Sequence, residues 1–449
     1  MKKDPYIISD ATRKDAPVNF SGKLKFLGPG FILSASIVGS GELIATTVLG
    51  AKAGFAALWI IVVSCLVKVA VQLEFGKHTI LTGETVMQAF NKLPGPRFGK
   101  GSWTVWIILF FVLLKIVQLG GMLGGAVIIL NKLFDGIPIS VWTLIVAILV
   151  SSLIYRGNYS IVEKGSMVMI GAFTILTLTS LYFVQYTDFA FSIGDVIEGF
   201  QLKFTNEIIA VAIGAFGITG VASDEIIAYN YWCLEKGYAS YAGPRQDTEE
   251  WRERASGWIK TMHVDAIIAM IIYTTVTVAF YLLGSSVLHG VGEIPQGNEV
   301  IDTLALIYTQ SLGVGVKNIY LIGAFFVLFS SVYASLAFWT RLYPDIFGQL
   351  GWIDFFNIGQ RSKLIAILAW IFPVLWACAY LFIKLPVLMV LSGGVVGSCL
   401  LFIVVFGAYH FKYSRVQLVR SSKLYNIAFW ISIISIFVVG VYGVVSLMV

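Results

Sequence analysis

The sequence predicts an all-α integral membrane protein of about eleven transmembrane helices, two of them interrupted, arranged as a 5+5 inverted repeat. Three observations predict it. Hydrophobic residues make up 58% of the 449 positions and charged residues only 12%, about half the share that a soluble domain carries. Long apolar runs recur along the whole chain and are continuous, where a membrane β-barrel would alternate. Two of these runs, SIVGSGELIATT and GITGVASDEIIAYN, hold small residues and carboxylates at mid-span. This composition excludes a soluble enzyme, a nucleic-acid binder and a disordered scaffold.

In chain order, residues 1–23 have early lysines without an apolar run behind them, so they read as a cytoplasmic N-terminal tail rather than a signal peptide. A crossing takes about 20 residues, which places spans at 24–49, 53–77, 103–130, 138–155, 163–185, 205–233, 259–284, 317–342, 363–382, 385–410 and 425–448. Residues 24–185 form the first five-helix repeat, 205–410 the second and inverted one, and 425–448 an eleventh helix. The outer loop 286–316 is expected to hold a short helix around EVIDTLALIY, and LEKGYASYAGPRQDTEEWRERASGW reads as a solvated inner connector.

With the N-terminus inside, 24 of the 31 basic residues fall in inner segments or at the inner ends of spans, five in outer segments or at the outer ends, and only Lys68 and Lys115 well within spans. This asymmetry places the chain in the cytoplasmic membrane with its N-terminus in the cytoplasm. The net charge of +6 is therefore a topology signal, and the partner it implies is the lipid bilayer, not nucleic acid. The four cysteines lie in apolar stretches, which argues against a disulfide framework. There is no phosphate-binding loop, so ATP is not expected as an energy source. The four histidines have no second His or Cys at ligand spacing, so no zinc site is read from them. No enzymatic activity and no resident cofactor are expected; a transported cation would be a substrate.

The two interrupted spans carry the functional signal. Overlaying GSGELIATT (39–47) on ASDEIIAYN (222–230) pairs Ser40 with Ser223, Glu42 with Glu225, Ile44 with Ile227 and Ala45 with Ala228. The repeat is five spans long, so its second copy enters from the opposite side, as in carriers whose broken helices meet at mid-membrane. An intramembrane carboxylate costs roughly 2.5 kcal/mol or more, which singles out Glu42, Asp224 and Glu225. Glu207 and Asp265 lie nearer span ends, and adjacent Asp224 and Glu225 are not expected to share one helical face. With Ser40, Thr219, Ser223 and freed backbone carbonyls, these carboxylates offer an all-oxygen environment suited to a hard cation such as Mg²⁺, Ca²⁺ or Mn²⁺. Close carboxylates exchange a proton for a cation when the site empties, which points to proton-linked transport.

Further strings carry a resemblance. GPGF at 28–31, VQLEFGKHTILTGETV at 71–86 and FSSVYASLAFWTRLYPDIFG at 329–348 make the chain similar to the NRAMP family of proton-coupled divalent-metal transporters, which have the LeuT-type fold. The resemblance implies that fold, alternating access, and a metal site at the two breaks. The family's Asp-Pro-Gly-Asn corresponds to Gly39-Ser40-Gly41-Glu42, and its Met-Pro-His to Ala222-Ser223-Asp224. The resemblance thus places ligand positions among Gly39, Ser40, Glu42, Ala222, Ser223 and Asp224, and the carboxylate pattern read above adds Glu225. Loss of the family's thioether favours a hard ion.

Lys115, in FFVLLKIVQLGGMLGG, either pairs with a site carboxylate and leaves when a cation binds, or snorkels toward an interface. Lys68, followed by Gln72 and Glu74, is expected to pair along its own helix or near the interface. Ser330 and Ser331 fall where LeuT-type carriers often hold Na⁺, and also suit bonds within their own helix. Glu84 caps a helix or faces the inner vestibule. The second functional reading is a carrier of a small amino acid or amine coupled to H⁺ or Na⁺, since Gly39, Gly41 and Ala222 leave room at the breaks. A membrane receptor or structural protein leaves the mid-membrane acids unexplained.

Overall fold

The computed structural model describes residues 4–39, 41–155, 159–201, 206–295, 299–415 and 422–446. Its helices follow the apolar runs closely. The first crossing is α1 (Pro29–Ile37), a break, a wide π-type turn (Gly41–Thr46) and α2 (Thr47–Ala53). The second is α3 (Leu58–Val67) and α4 (Val69–Thr82), joined through Lys68. The third is α6 (Trp103–Leu114) and α7 (Ile116–Leu133), joined through Lys115; a short α5 (Val86–Asn91) precedes it. A two-residue antiparallel hairpin, Arg97–Phe98 with Gly101–Ser102, is the only strand pair among the described residues.

The remaining helices are α8 (Ile139–Ile154), α9 (Tyr159–Phe183), α10 (Asn206–Ile218), α11 (Ser223–Lys236) and α12 (Glu249–Leu283). They continue as α13 (Val300–Leu312), α14 (Lys317–Leu350), α15 (Ile358–Ile383), α16 (Pro386–His410) and α17 (Lys423–Ser446). Among the described residues, eight helical stretches are long and apolar enough to cross a membrane. The half-helix α1 with α8 and α9 brings the set to about eleven crossings. α13 is the short outer-loop helix expected around EVIDTLALIY.

The helix α7 sits at the centre, packed against α14, α15 and α16. Its GGMLGG run makes this possible. A Cβ on Gly121 would lie 2.8 Å from Met389 Cβ, and one on Gly124 would lie 2.2 Å from the Tyr380 ring. α10 and α16 cross just as closely: a Cβ on Gly217 would lie 1.9 Å from the Gly394 carbonyl oxygen. Small residues let helices approach where lipid gives no hydrophobic drive.

Two regions differ from expectation. The inner connector is not simply solvated: residues from Glu249 onward extend α12, with Trp251, Trp258 and Arg254 buried. Indole and guanidinium donors explain this, since Trp251 bonds Gly243 O at 3.2 Å and Arg254 bonds Ala242 O at 2.9 Å. The N-terminal segment is likewise laid across that end of the molecule. Tyr6 donates to Glu235 at 2.6 Å, Arg361 to Asp4 at 2.7 Å, and Trp258 to the Lys14 carbonyl at 2.8 Å.

Candidate functional site

Both breaks arise where small residues cannot hold a helix against competing contacts. α10 ends at Ile218, and the chain turns through Gly220 at φ +61°. A Cβ there would lie 2.7 Å from Cys65 Cα, so conformation and space both require glycine. α1 ends at Ile37, and Gly39 abuts α14 so closely that a Cβ would lie 1.5 Å from Ser331 Oγ. Ser331 thus fills the space in which the resemblance places a metal-binding Asp.

The carboxylates divide between two environments. Asp224 and Glu225 open α11 and line one small cavity with Ser36, Gln118, Met122 and Trp232. Contrary to the expectation of separate faces, both reach it, because first-turn side chains border the break as well as the helix face. Asp224 Oδ2 accepts from Lys115 Nζ at 2.9 Å, and Glu225 Oε1 accepts from Ser36 Oγ at 2.9 Å. Among the described residues, Asp224 Oδ1 and Glu225 Oε2 have no hydrogen-bond partner. The cavity measures about 30 Å³.

Glu42 is fully buried but does not line this cavity. Its Oε1 accepts from Thr277 Oγ1 at 2.9 Å and from the Gly220 amide at 3.3 Å, while Oε2 has no partner among the described residues. Among the described residues, no three His, Cys, Asp or Glu side chains stand close enough to hold a metal ion. Glu42, Asp224 and Glu225 therefore do not form one ligand set in this conformation. Ala222 lines the cavity, Ser223 is buried with a hydroxyl that has no partner among the described residues, and Thr219 donates to Ser64 at 2.9 Å. Ser40 lies outside the described residues. Ser330 and Ser331 donate across to the Ala35 and Ser36 carbonyls, at 3.3 and 3.1 Å, so their hydroxyls bridge α14 to the end of α1.

The two intramembrane lysines each sit at a single-residue kink and each reach one half of the second broken helix. Lys115 holds Asp224 at the start of α11. Lys68 donates to the Phe216 and Thr219 carbonyls at 2.7 and 2.6 Å, at the end of α10. The expected pairing of Lys68 along its own helix is therefore corrected. Glu74 instead takes Lys412 at 2.9 Å and Lys77 at 3.9 Å. Sequence reasoning also missed Ser36, Gln118, Met122 and Thr277, whose residue types are ordinary in packed membrane helices. A methionine absent from the second break stands in the cavity wall instead, as Met122 of α7.

One carboxylate ties the two broken helices together. Asp265 on α12 accepts from the Gly28 and Gly30 amides at 2.8 and 2.6 Å, capping α1, and from Tyr229 of α11 at 3.2 Å. At the end of the molecule covered by the N-terminal segment, a cavity of about 350 Å³ is lined by Tyr6, Glu84, Gln88 and Arg245. Burial pushes the Glu84 carboxyl up, but its bonds to His78 and Lys92 outweigh this and hold it down at about 2.

The sequence profile of natural resistance-associated macrophage protein-like (Nramp) proteins matches residues 30–446. The chain belongs to the Nramp family. Among curated relatives it is 24% identical to a divalent metal cation transporter MntH of Brucella suis, over 66% of this chain and 60% of that protein. A Bradyrhizobium diazoefficiens MntH is 24% identical over 66% of this chain and 62% of its own length. The chain thus spans about three-fifths of the length of the MntH relatives it matches.

Among solved structures, a manganese transporter of Eremococcus coleocola superposes with a TM-score of 0.69 at 15% identity, covering 97% of this chain and 90% of that one. A nucleobase-cation-symport-1 family transporter gives 0.59 at 12% identity, covering 99% and 93%. MhsT in complex with L-phenylalanine gives 0.56 at 14% identity, covering 96% and 100%. These likenesses show the fold: the Nramp-family chain has the LeuT-type architecture. It is a multi-pass membrane protein of a transporter family.

Proposed function

We propose that this Nramp-family protein is a secondary active transporter that carries a divalent metal cation across the cell membrane by alternating access, as proton-linked uptake. The observation that carries the reading is the pair of carboxylates opening α11, each with an oxygen unpartnered among the described residues, at a small cavity of about 30 Å³. A space of this size admits a small ion with one or two waters. An organic solute needs a pocket of a few hundred Å³. Asp224, Glu225 and Ser36 supply hard oxygen donors, and Met122 adds a softer contact, a set compatible with Mg²⁺ or Mn²⁺.

Lys115 supplies a means of coupling. While its ammonium rests on Asp224, the site carries a resident positive charge. An arriving dication takes that place and turns the lysine away. When the metal leaves, the ammonium returns to Asp224, and a proton on Glu225 neutralises the second carboxylate. Asp265, bonded to both α1 and α11, transmits rearrangement at one broken helix to the other. The metal specificities named for the MntH relatives and the Eremococcus transporter support the same reading.

The test is uptake of Mg²⁺, Ca²⁺ and Mn²⁺ into proteoliposomes, with amino acids and amines assayed in parallel. Saturable uptake of one of the cations, faster with an acidic exterior and lost in Glu225→Gln, is expected. Transport of an amine or amino acid with no response to any metal would replace this reading with the organic-solute carrier.

A further inference from the structure

The Lys68 ammonium lies apart from the Asp224–Glu225 cavity and takes no part in the proposed exchange. Its surroundings are nonetheless built for a cation. Phe216 O and Thr219 O stand 2.7 and 2.6 Å from Nζ, and the Phe216 ring centroid stands 4.8 Å away. Ser64 Oγ donates to the same two carbonyls at 3.1 and 3.0 Å and accepts from Thr219 Oγ1 at 2.9 Å. Lys68, Ser64 and Thr219 are wholly buried. Glu42, with one oxygen unpartnered among the described residues, lies within electrostatic range.

The physics of a helix end explains the assembly. The last turn of α10 leaves carbonyls without intrahelical partners, and the aligned peptide dipoles place about half a negative charge there. An aromatic face adds a further attraction for a cation. Backbone carbonyl oxygens can stand in for part of the hydration shell of a monovalent ion, and two are supplied here. Among the described residues no carboxylate forms a salt bridge with Lys68: Glu74 of its own helix is taken by Lys412 and Lys77, and Glu42 and Glu225 act on it only through space.

We propose that the Lys68 ammonium is a tethered resident cation filling a monovalent-cation cage at the end of α10, and that a free alkylammonium or alkali-metal ion occupies this cage when the side chain is truncated. Because the cation is anchored to the kink between α3 and α4, it remains with the protein through any transport cycle. The cage then needs no mobile monovalent ion. This goes beyond the carrier reading and holds whatever the protein transports.

The experiment is thermal melting of purified full-length protein: wild type, Lys68→Ala and Lys68→Gln. Each is measured in N-methylglucamine chloride and, at equal ionic strength, in methylammonium, ammonium, potassium and sodium chloride. Lys68→Ala is expected to melt several degrees below wild type in N-methylglucamine and to regain most of that loss in methylammonium or another small cation. Wild type and Lys68→Gln, whose cages are filled by their own side chains, gain nothing specific to the cation. Equal melting of Lys68→Ala in all salts overturns the proposal. So does a Lys68→Gln protein as stable as wild type, because a neutral donor would then suffice. If Lys68→Ala yields no folded protein, Lys68→Gln decides alone: a lower melting temperature supports the cage, and an equal one refutes it. Melting requires no transport, so failure here is distinct from failure of the divalent-uptake reading.

Discussion

The two broken helices share a pattern of small residues and carboxylates, yet their breaks are closed by different chemistry. At α1–α2 the groups are neutral: Ser330 and Ser331 satisfy the carbonyls ending α1, and Ser331 fills the space beside Gly39. Glu42 there turns to Thr277 and Gly220. At α10–α11 two ammoniums hold the two halves, Lys68 on the carbonyl end and Lys115 on Asp224, and both carboxylates face the cavity. Similar local sequence makes similar backbone breaks, but neighbouring helices decide whether a carboxylate serves the scaffold or the site.

Removing a charge at the second break is the strongest way to test this contrast. Lys115→Met leaves Asp224, mostly shielded from solvent, without its partner; breaking a fully buried pair costs about 3–5 kcal/mol, and this partly exposed one less. Thermal melting in detergent should show a large loss, much of it recovered in Lys115→Met/Asp224→Asn. A transported dication should raise the melting temperature of Lys115→Met more than that of wild type, because it takes the place of the ammonium. Equal stability of Lys115→Met and wild type would mean that the pair does not hold α11.

Function separates the breaks next. Glu225→Gln removes a charged donor from the cavity, and a contact with a charged group carries about 1.5–3 kcal/mol, or roughly 10- to 100-fold in uptake. Glu42→Gln keeps an acceptor for Thr277 and should lower initial uptake less than about tenfold. The reverse ranking would move the site to α1–α2. Gly39→Asp sharpens the same point. A Cβ at 1.5 Å from Ser331 Oγ and 2.8 Å from its Cβ overpacks the break, at a cost of about 1–3 kcal/mol. Gly39→Asp/Ser331→Gly should recover much of the loss, with a coupling of about 0.5–3 kcal/mol between the positions. Additive losses would show that Ser331 does not occupy that space.

The crossings and both interruptions were legible because lipid demands long apolar runs and makes every buried carboxylate conspicuous. The partners of those carboxylates were less legible. Lys68 has Gln72 and Glu74 on its own helix, which suggested a local pairing, whereas its acceptors are backbone carbonyls 148 and 151 positions away. Carbonyls leave no signature in a sequence. Lys115 was traceable to a site carboxylate because Asp224 is one of few acids at that depth. The packed inner segments were obscured by their charges: EEWRERASGW looks solvated, yet Trp251, Arg254 and Trp258 find backbone acceptors in the N-terminal segment and the turn before α12.

The smallest expected effect lies outside the membrane-spanning helices, at Glu84. Its carboxyl is depressed from 4.5 to about 2 by His78 and Lys92 against the opposing effect of burial. The folded value lies below the unfolded one, so its stabilisation is fully present above about pH 4.5 and lost as the pH falls toward 2. Glu84 is thereby held as an anion throughout the neutral range. Glu84→Gln should slightly lower the melting temperature at neutral pH, and that difference should close in acid. The pH dependence of cation uptake should be the same in Glu84→Gln and wild type. A shifted profile would place proton exchange at this mouth and away from Asp224 and Glu225, removing the functional contrast between the second break and the rest of the molecule.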